Sequence, residues 1–181
     1  MKFFETELSG AFVIELEAHR DTRGLFVRTH CRREFLNQGL FDDFVQSNLS
    51  ITIGRGTLRG LHLQKPPYDE IKLIQCIRGA VLDVIVDLRE GSPTFLKHLK
   101  VELSEKNFRM LYVPKGFAHG FQTLTDRTNM AYRQSAYYKP EAEIGLRYDD
   151  PKIGIEWPLE ITEISQKDKS YSWLDDGFFG I

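Results

Sequence analysis

The chain has 181 residues, of which 41% are hydrophobic and 28% charged, with a formal net charge of −2. That is the size and composition of one globular domain, residues 1–181, and so balanced a charge gives no electrostatic case for nucleic acid as a partner. Cys31 and Cys76 are too few for a disulfide framework and lack the paired spacing of a zinc site, so they read as free thiols in a reducing compartment.

The first ten residues, MKFFETELSG, carry no long apolar run, so no signal peptide is expected. Short β-rich runs punctuated by turn residues then follow one another: Ala11 to Glu17, Gly24 to Thr29 and Phe44 to Thr52, with a helical pattern near Arg33 to Gln38. Thr57 to Gln64, Ile71 to Ile77 and Val81 to Leu88 come next. The series ends with His98 to Leu103, Phe108 to Val113, Gly120 to Leu124 and Met130 to Tyr138. Roughly ten evenly spaced strands with few helices predict a sandwich or a closed barrel. The longest apolar stretch, around Ala80 to Val86, is broken by Asp83 and is too short to span a bilayer, so a cytoplasmic protein without a membrane partner is expected. The segment 81–88 partly alternates, which would put Leu82, Val84, Val86 and Leu88 on one face, the natural core face. Val81, Asp83, Ile85 and Asp87 share the other, which reads either as the wall of a ligand cavity or as a solvated face. Beyond residue 139 Pro-containing turns dominate, but Ile153, Ile155, Trp157, Ile161 and Ile164 require this tail to pack on the barrel.

Four positions carry possible chemistry: His62 in LeuArgGlyLeuHisLeuGln (58–64), Lys72, His119 in ProLysGlyPheAlaHis (114–119), and Tyr132. Each histidine alone reads either as a structural strand residue or as a site residue. The Pro-x-Gly-x-x-His spacing resembles the second motif of the cupin superfamily. The first motif's His-x-His is here His62-Leu63-Gln64, so one metal ligand is missing, and an open catalytic metal site takes three or more protein ligands. No metal and no cofactor are expected. Without one, an imidazole can take a proton from a carbon made acidic by a neighbouring carbonyl. A lysine can hold the enolate oxygen, and a phenol on the other face can return a proton.

Segments along most of the chain, from about residue 10 to residue 170, resemble the dTDP-4-dehydrorhamnose 3,5-epimerase family. They are AspThrArgGlyLeuPhe (21–26), PheValGlnSerAsn (44–48), LeuArgGlyLeuHisLeuGln (58–64), ValAspLeuArgGluGlySerProThrPhe (86–95), ProLysGlyPheAlaHisGlyPhe (114–121), AspAspProLysIleGlyIleGluTrpPro (149–158) and SerGlnLysAsp (165–168). Each is weak alone; together, in the family's order, they are specific. The resemblance implies an all-β, cupin-type jelly-roll barrel with a few short helices. It implies inversion at C3, C5 or both of a nucleotide-linked 4-keto-6-deoxyhexose, with dTDP-4-dehydro-6-deoxyglucose the first choice. His62 would be the base, Asp168 its orienting carboxylate, Tyr132 the acid and Lys72 the enolate support. His119 would line the pocket, paired with Asp83. Arg23, Arg59 and Lys167 would hold the diphosphate, and Phe26, Gln46 and Asn48 would receive the base of the nucleotide. The resemblance also implies a homodimer with exchanged N-terminal strands, in which Arg23 and Phe26 serve the neighbouring site.

The chain departs from that pattern at three places. Arg28 stands where the family has Glu, Glu70-Ile71 where it has Gln-Gly, and Leu96-Lys97-His98 where it has Gly-x-Trp. Rival readings are a 3,4-ketoisomerase, a single-centre epimerase of a CDP- or GDP-sugar, a non-catalytic sugar-nucleotide binder, and a metal-dependent cupin oxygenase.

Overall fold

A computed structural model describes all of residues 1–181. Runs rich in β-branched and aromatic residues make strands of about half of the chain before residue 135. In chain order they are β1 (Lys2–Glu5), β2 (Phe12–Glu15), β3 (Ala18–Asp21), β4 (Gly24–Val27), β5 (Gln46–Thr52), β6 (Thr57–Gln64), β7 (Lys72–Arg78) and β8 (Ala80–Asp87), followed by β9 (His98–Ser104), β10 (Arg109–Val113), β11 (Phe117–Thr123) and β12 (Thr128–Gln134). Short β13 (Glu143–Gly145) and β14 (Glu163–Ile164) lie in the tail; α1 (Arg32–Asn37) and α2 (Gln166–Ser170) are the two α-helices. No helix is long and apolar enough to cross a membrane.

The strands form two main sheets, ordered β1-β2-β10-β7-β12-β5 and β13-β6-β11-β8-β9, with β14 added parallel to β6. The sheets face each other as the jelly-roll barrel expected from the sequence. Their shared interior is packed at one end by Ile74, Leu111 and Met130 from the first sheet and by Val81, Ile85, Leu103, Phe117 and Phe121 from the second. Hairpin β3–β4 pairs with neither sheet.

The outer faces are covered too. Phe35 of α1 packs with Ile14, Leu73, Met110 and Tyr112 on the back of the first sheet. The tail covers the back of the second, with Ile153, Ile155, Trp157, Leu174 and Phe178 against Leu61, Leu63, Val84, Val86 and Ala118. In 81–88 both faces are buried, which decides between the two readings of the mixed one. The all-apolar face Leu82, Val84, Val86 and Leu88 is the outer one, and it is apolar because the tail lies on it. The mixed face points into the barrel: Val81 and Ile85 join the interior core, and Asp83 is fully buried. Asp150, itself buried, fastens the tail by accepting the N–H groups of Lys152 (2.8 Å) and Leu174 (2.6 Å).

Candidate active site

The site begins with a β-bulge. On β11, His119 and Phe121 are two apart and point inward together; their partners on β6 are His62 and Arg59, which are three apart. In a regular strand residues 59 and 62 would face opposite sides. One extra residue in β6 brings both to the cavity side. Only glycine permits it. Gly60 has φ +114, and a Cβ there would lie 2.6 Å from Gly120 Cα and 2.8 Å from the His119 carbonyl oxygen; a Cβ on Gly120 would lie 2.7 Å from the Arg59 carbonyl oxygen. The glycines of the 58–64 and 114–121 segments are therefore what lets β6 and β11 approach at this point.

His62 Nε2 lies 2.7 Å from Asp168 Oδ1. Burial by itself would push Asp168 up, but the His62 hydrogen bond and charge, the Gly60 N–H and Ser165 together hold it below the ordinary 3.8. An ionised carboxylate only accepts, so Nε2 carries the hydrogen and Nδ1 is left basic. Asp168 is fixed in turn. Its Oδ2 accepts the Gly60 N–H (3.2 Å), and its own N–H donates to the Ser165 hydroxyl that caps α2 (3.0 Å). The second histidine, His119, bonds Asp83 through Nε2 at 2.9 Å deep in the barrel. Burial raises the acid of Asp83, with the His119 charge opposing.

Across the barrel, Tyr132 on β12 stands edge-on to His119, with ring centroids 6.1 Å apart. Burial drives its phenol far above the ordinary value, the Asp83 charge adds to this, and Arg59 opposes. Tyr132 therefore keeps its proton throughout the neutral range and is placed to give a proton, not to take one. Lys72 on β7 reaches across to the other sheet, its Nζ donating to the His62 carbonyl at 3.1 Å and pairing with Glu70 at 3.0 Å.

These groups border one cavity of about 550 Å³, lined by His62, Asp168, Tyr132, Lys72, His119, Arg59, Lys167 and Asn48 among others. Of its three lining lysines and arginines, Lys72 is paired with Glu70 and Lys167 with Glu143. Arg59 has no carboxylate; its Nε donates to Thr52 Oγ1 at 3.1 Å, and the rest of its guanidinium is free for an anion. Gln46 stands one step behind the lining. It donates to Gln134 Oε1 (2.9 Å), as does Asn48 (2.7 Å), and accepts the Tyr138 N–H (3.1 Å).

The chain's own cavity does not include Arg23 or Phe26. Both ride on β3–β4; Arg23 is 88% exposed and bonded to Asp21 at 2.6 Å, and Phe26 is 70% exposed. Arg28 is outside as well, paired with Glu34 of α1 at 3.0 Å. The sequence reading missed Glu143, Tyr138, Gln134 and Ser165, all of which line the cavity. Ser165 had a signal in the Ser-x-x-Asp spacing of a helix cap. Glu143 lies in a stretch read as turn-rich, where nothing marked a strand. Segment 86–95 is structural: Asp87 gathers hydrogen bonds from the Arg89 guanidinium (2.7 Å), Ser92 (2.6 Å) and Thr94 (2.6 Å), closing the turn after β8.

The arrangement holds an imidazole with one basic nitrogen on one sheet and a proton-bearing phenol on the other, around a space sized for a small polar ligand. Comparison with known proteins bears on what that ligand is. The family model of dTDP-4-dehydrorhamnose 3,5-epimerases matches residues 5–176. A dTDP-4-dehydrorhamnose 3,5-epimerase of Methanothermobacter thermautotrophicus is 43% identical over 176 residues, which is 96% of this chain and 94% of the relative. A Bacillus anthracis enzyme of the same name, solved with TDP and pyrophosphate, superposes with a TM-score of 0.93 at 40% identity, covering 96% of this chain and 99% of its own. A Legionella pneumophila dTDP-6-deoxy-D-glucose-3,5-epimerase, solved with dTDP-4-keto-L-rhamnose, superposes with a TM-score of 0.88 at 40% identity over 92% of this chain and 89% of its own.

Proposed function

The chain belongs to the dTDP-4-dehydrorhamnose 3,5-epimerase family, and we propose that it epimerises dTDP-4-dehydro-6-deoxyglucose in the cavity between its two sheets. The observation that carries this reading is the placement of His62 and Tyr132 on opposite sheets, around the one cavity that also holds Lys72 and a free Arg59. His62 Nδ1 removes the proton from a carbon next to the ketone. The electron pair moves onto the ketone oxygen, where the Lys72 ammonium meets the charge. Tyr132 donates its proton to the same carbon from the opposite face, and the carbon is inverted. The imidazolium and phenolate then return to their starting forms by proton exchange with solvent. Asp168 holds the imidazole tautomer and stabilises the imidazolium. Applied at C3 and again at C5, the same step gives the double epimer. A 3,4-ketoisomerase shuttles its proton on one face and has no use for Tyr132.

Arg59 grips the diphosphate, with Lys167 beside it, and Asn48 and Gln46 lie toward the nucleobase. The reading extends to a homodimer. Arg23 and Phe26 project on a hairpin that pairs with neither sheet, and edge strand β5 leaves Leu49 (58% exposed) and Ile51 (62%) open, with Ile53 (79%) just beyond its end. An apolar strip of that kind is a surface for another protein. A nucleotide-sugar substrate agrees with the cytoplasmic site of action expected from the sequence.

The test is turnover in deuterated water. The protein is expected to place deuterium at both C3 and C5 while the ketone stays at C4. Deuterium at one carbon only would make it a single-centre epimerase, and migration of the ketone would make it an isomerase. Equal turnover of CDP- or GDP-linked sugars would refute the thymidine assignment.

A further inference from the structure

Next to the reacting groups lies a buried chain of three side chains, Gln64, Glu70 and Lys72, each less than a tenth exposed. Both carboxylate oxygens of Glu70 are engaged: Oε1 lies 3.0 Å from Lys72 Nζ, and Oε2 accepts from Gln64 Nε2 at 3.0 Å. Gln64 is locked from its other side. Its Oε1 accepts the Lys139 N–H at 2.6 Å, and its Nε2 also donates to the carbonyls of Tyr68 (2.9 Å) and Tyr137 (3.3 Å). The two loops that follow β6 and β12 are thereby tied to one amide. Lys72 donates to Glu70 and to the His62 carbonyl, so one of its three N–H bonds is left without a protein partner, and Lys72 lines the cavity.

We propose that Glu70 is a positioning residue for this reaction: held by Gln64, it clamps the Lys72 ammonium so that the one free N–H meets the ketone oxygen as charge develops there. The inference rests on the epimerase reading. A lysine stem has several rotatable bonds, and an ammonium fixed before the substrate arrives needs no ordering at the moment of reaction. The pairing also separates charge along the cavity. The Lys72–Glu70 pair carries no net charge of its own, while Arg59 remains free, so a diphosphate is drawn to Arg59 and not onto the lysine that must serve the ketone. The clamp requires an acceptor at position 70. An amide oxygen also meets that need, which agrees with the glutamine that the family pattern has there.

The experiment is a double-mutant cycle with Glu70→Leu and Glu70→Gln, each made with Lys72 intact and in the Lys72→Ala background. It reads kcat, KM for the nucleotide sugar and the thermal midpoint. Glu70→Leu is expected to lower kcat by about tenfold to a hundredfold while KM stays within about twofold, and Glu70→Gln to recover kcat to within about fivefold of the parent. On Lys72→Ala, Glu70→Leu should change kcat by less than about twofold. Equal losses in both backgrounds, an effect confined to KM, or a glutamine variant as damaged as the leucine one would overturn the role of Glu70. Should Glu70→Leu not fold, Glu70→Ala goes through the same cycle with the same criteria. Parent protein that puts no deuterium into the sugar would overturn the reaction itself, an outcome the Glu70 variants cannot mimic.

Discussion

Gly60→Ala is a one-carbon change that tests whether the bulge builds the site. Alanine at φ +114 is strained by about 1–3 kcal/mol. Its Cβ would also sit 2.6 Å from Gly120 Cα and 2.8 Å from the His119 carbonyl oxygen. Both are backbone atoms of the neighbouring strand and cannot swing aside as a side chain would, so overpacking adds about 1–3 kcal/mol. The sum is about 4 kcal/mol. In a chain of 181 residues each kcal/mol moves the melting midpoint by roughly 2–4 °C, so calorimetry should show a fall of about 8–16 °C. Activity should fall further than stability. Relief of the overlap must move β6 relative to β11, and Arg59 and His62 move with it; kcat, measured well below the new midpoint, is expected to drop at least about a hundredfold. A Gly60→Ala protein melting within about 2 °C of the parent with unchanged kcat would refute the bulge argument.

Asp168→Asn keeps the shape of the side chain but replaces an acceptor by an amide that can donate to His62 Nε2, which places the imidazole hydrogen on Nδ1; kcat should fall by about 10²–10⁴-fold with the melting midpoint little changed. Arg59→Ala should raise KM for the nucleotide sugar far more than it lowers kcat, if the guanidinium meets the diphosphate as proposed and not the reacting carbon. Asp87 supplies a pH signature. Burial opposes its charge, but Arg89, Ser92 and Thr94 outweigh burial and bring it from 3.8 to about 2. Its native value lies below its unfolded value, so its contribution of about 2 kcal/mol is present above pH 4 and is lost as pH falls from about 4 through about 2. Asp87→Asn should remove that part of the acid slope in denaturant melts. Finally, co-expressed Arg23→Ala and His62→Ala chains should show more activity than either variant alone if Arg23 works in the partner's cavity, and no gain if it does not.

Most of the barrel could be read from residue pattern, because strands of this length bury at least one face and show it; Thr57–Gln64 has the boundaries expected. The errors have local causes. Gly120 was taken as the start of its strand, whereas β11 begins at Phe117, which puts His119 inside it. Glycine and proline nearby imitated a loop, and cross-strand packing overrode them. The apolar face of β8 is core, as read, but periodicity cannot distinguish an apolar face that meets the opposite sheet from one that meets a tail folding back from much later in the chain. His62, Asp168, Tyr132 and Lys72, which the structure brings to one cavity, were singled out through motif resemblance. What brings residues 59 and 62 to one side was not, although a glycine within a strand is a bulge signal. Glu143 and Tyr138 left no trace, since their place at the cavity depends on the path of the chain after β12.

The most direct test of the account compares His62→Ala with Tyr132→Phe by NMR in deuterated water, using dTDP-4-dehydro-6-deoxyglucose. Tyr132→Phe is expected to keep exchanging the protons that His62 removes while releasing little inverted sugar, and His62→Ala to lose exchange and inversion together. Exchange at the parent rate in His62→Ala, or full inversion in Tyr132→Phe, would contradict a base on one sheet working against an acid on the other.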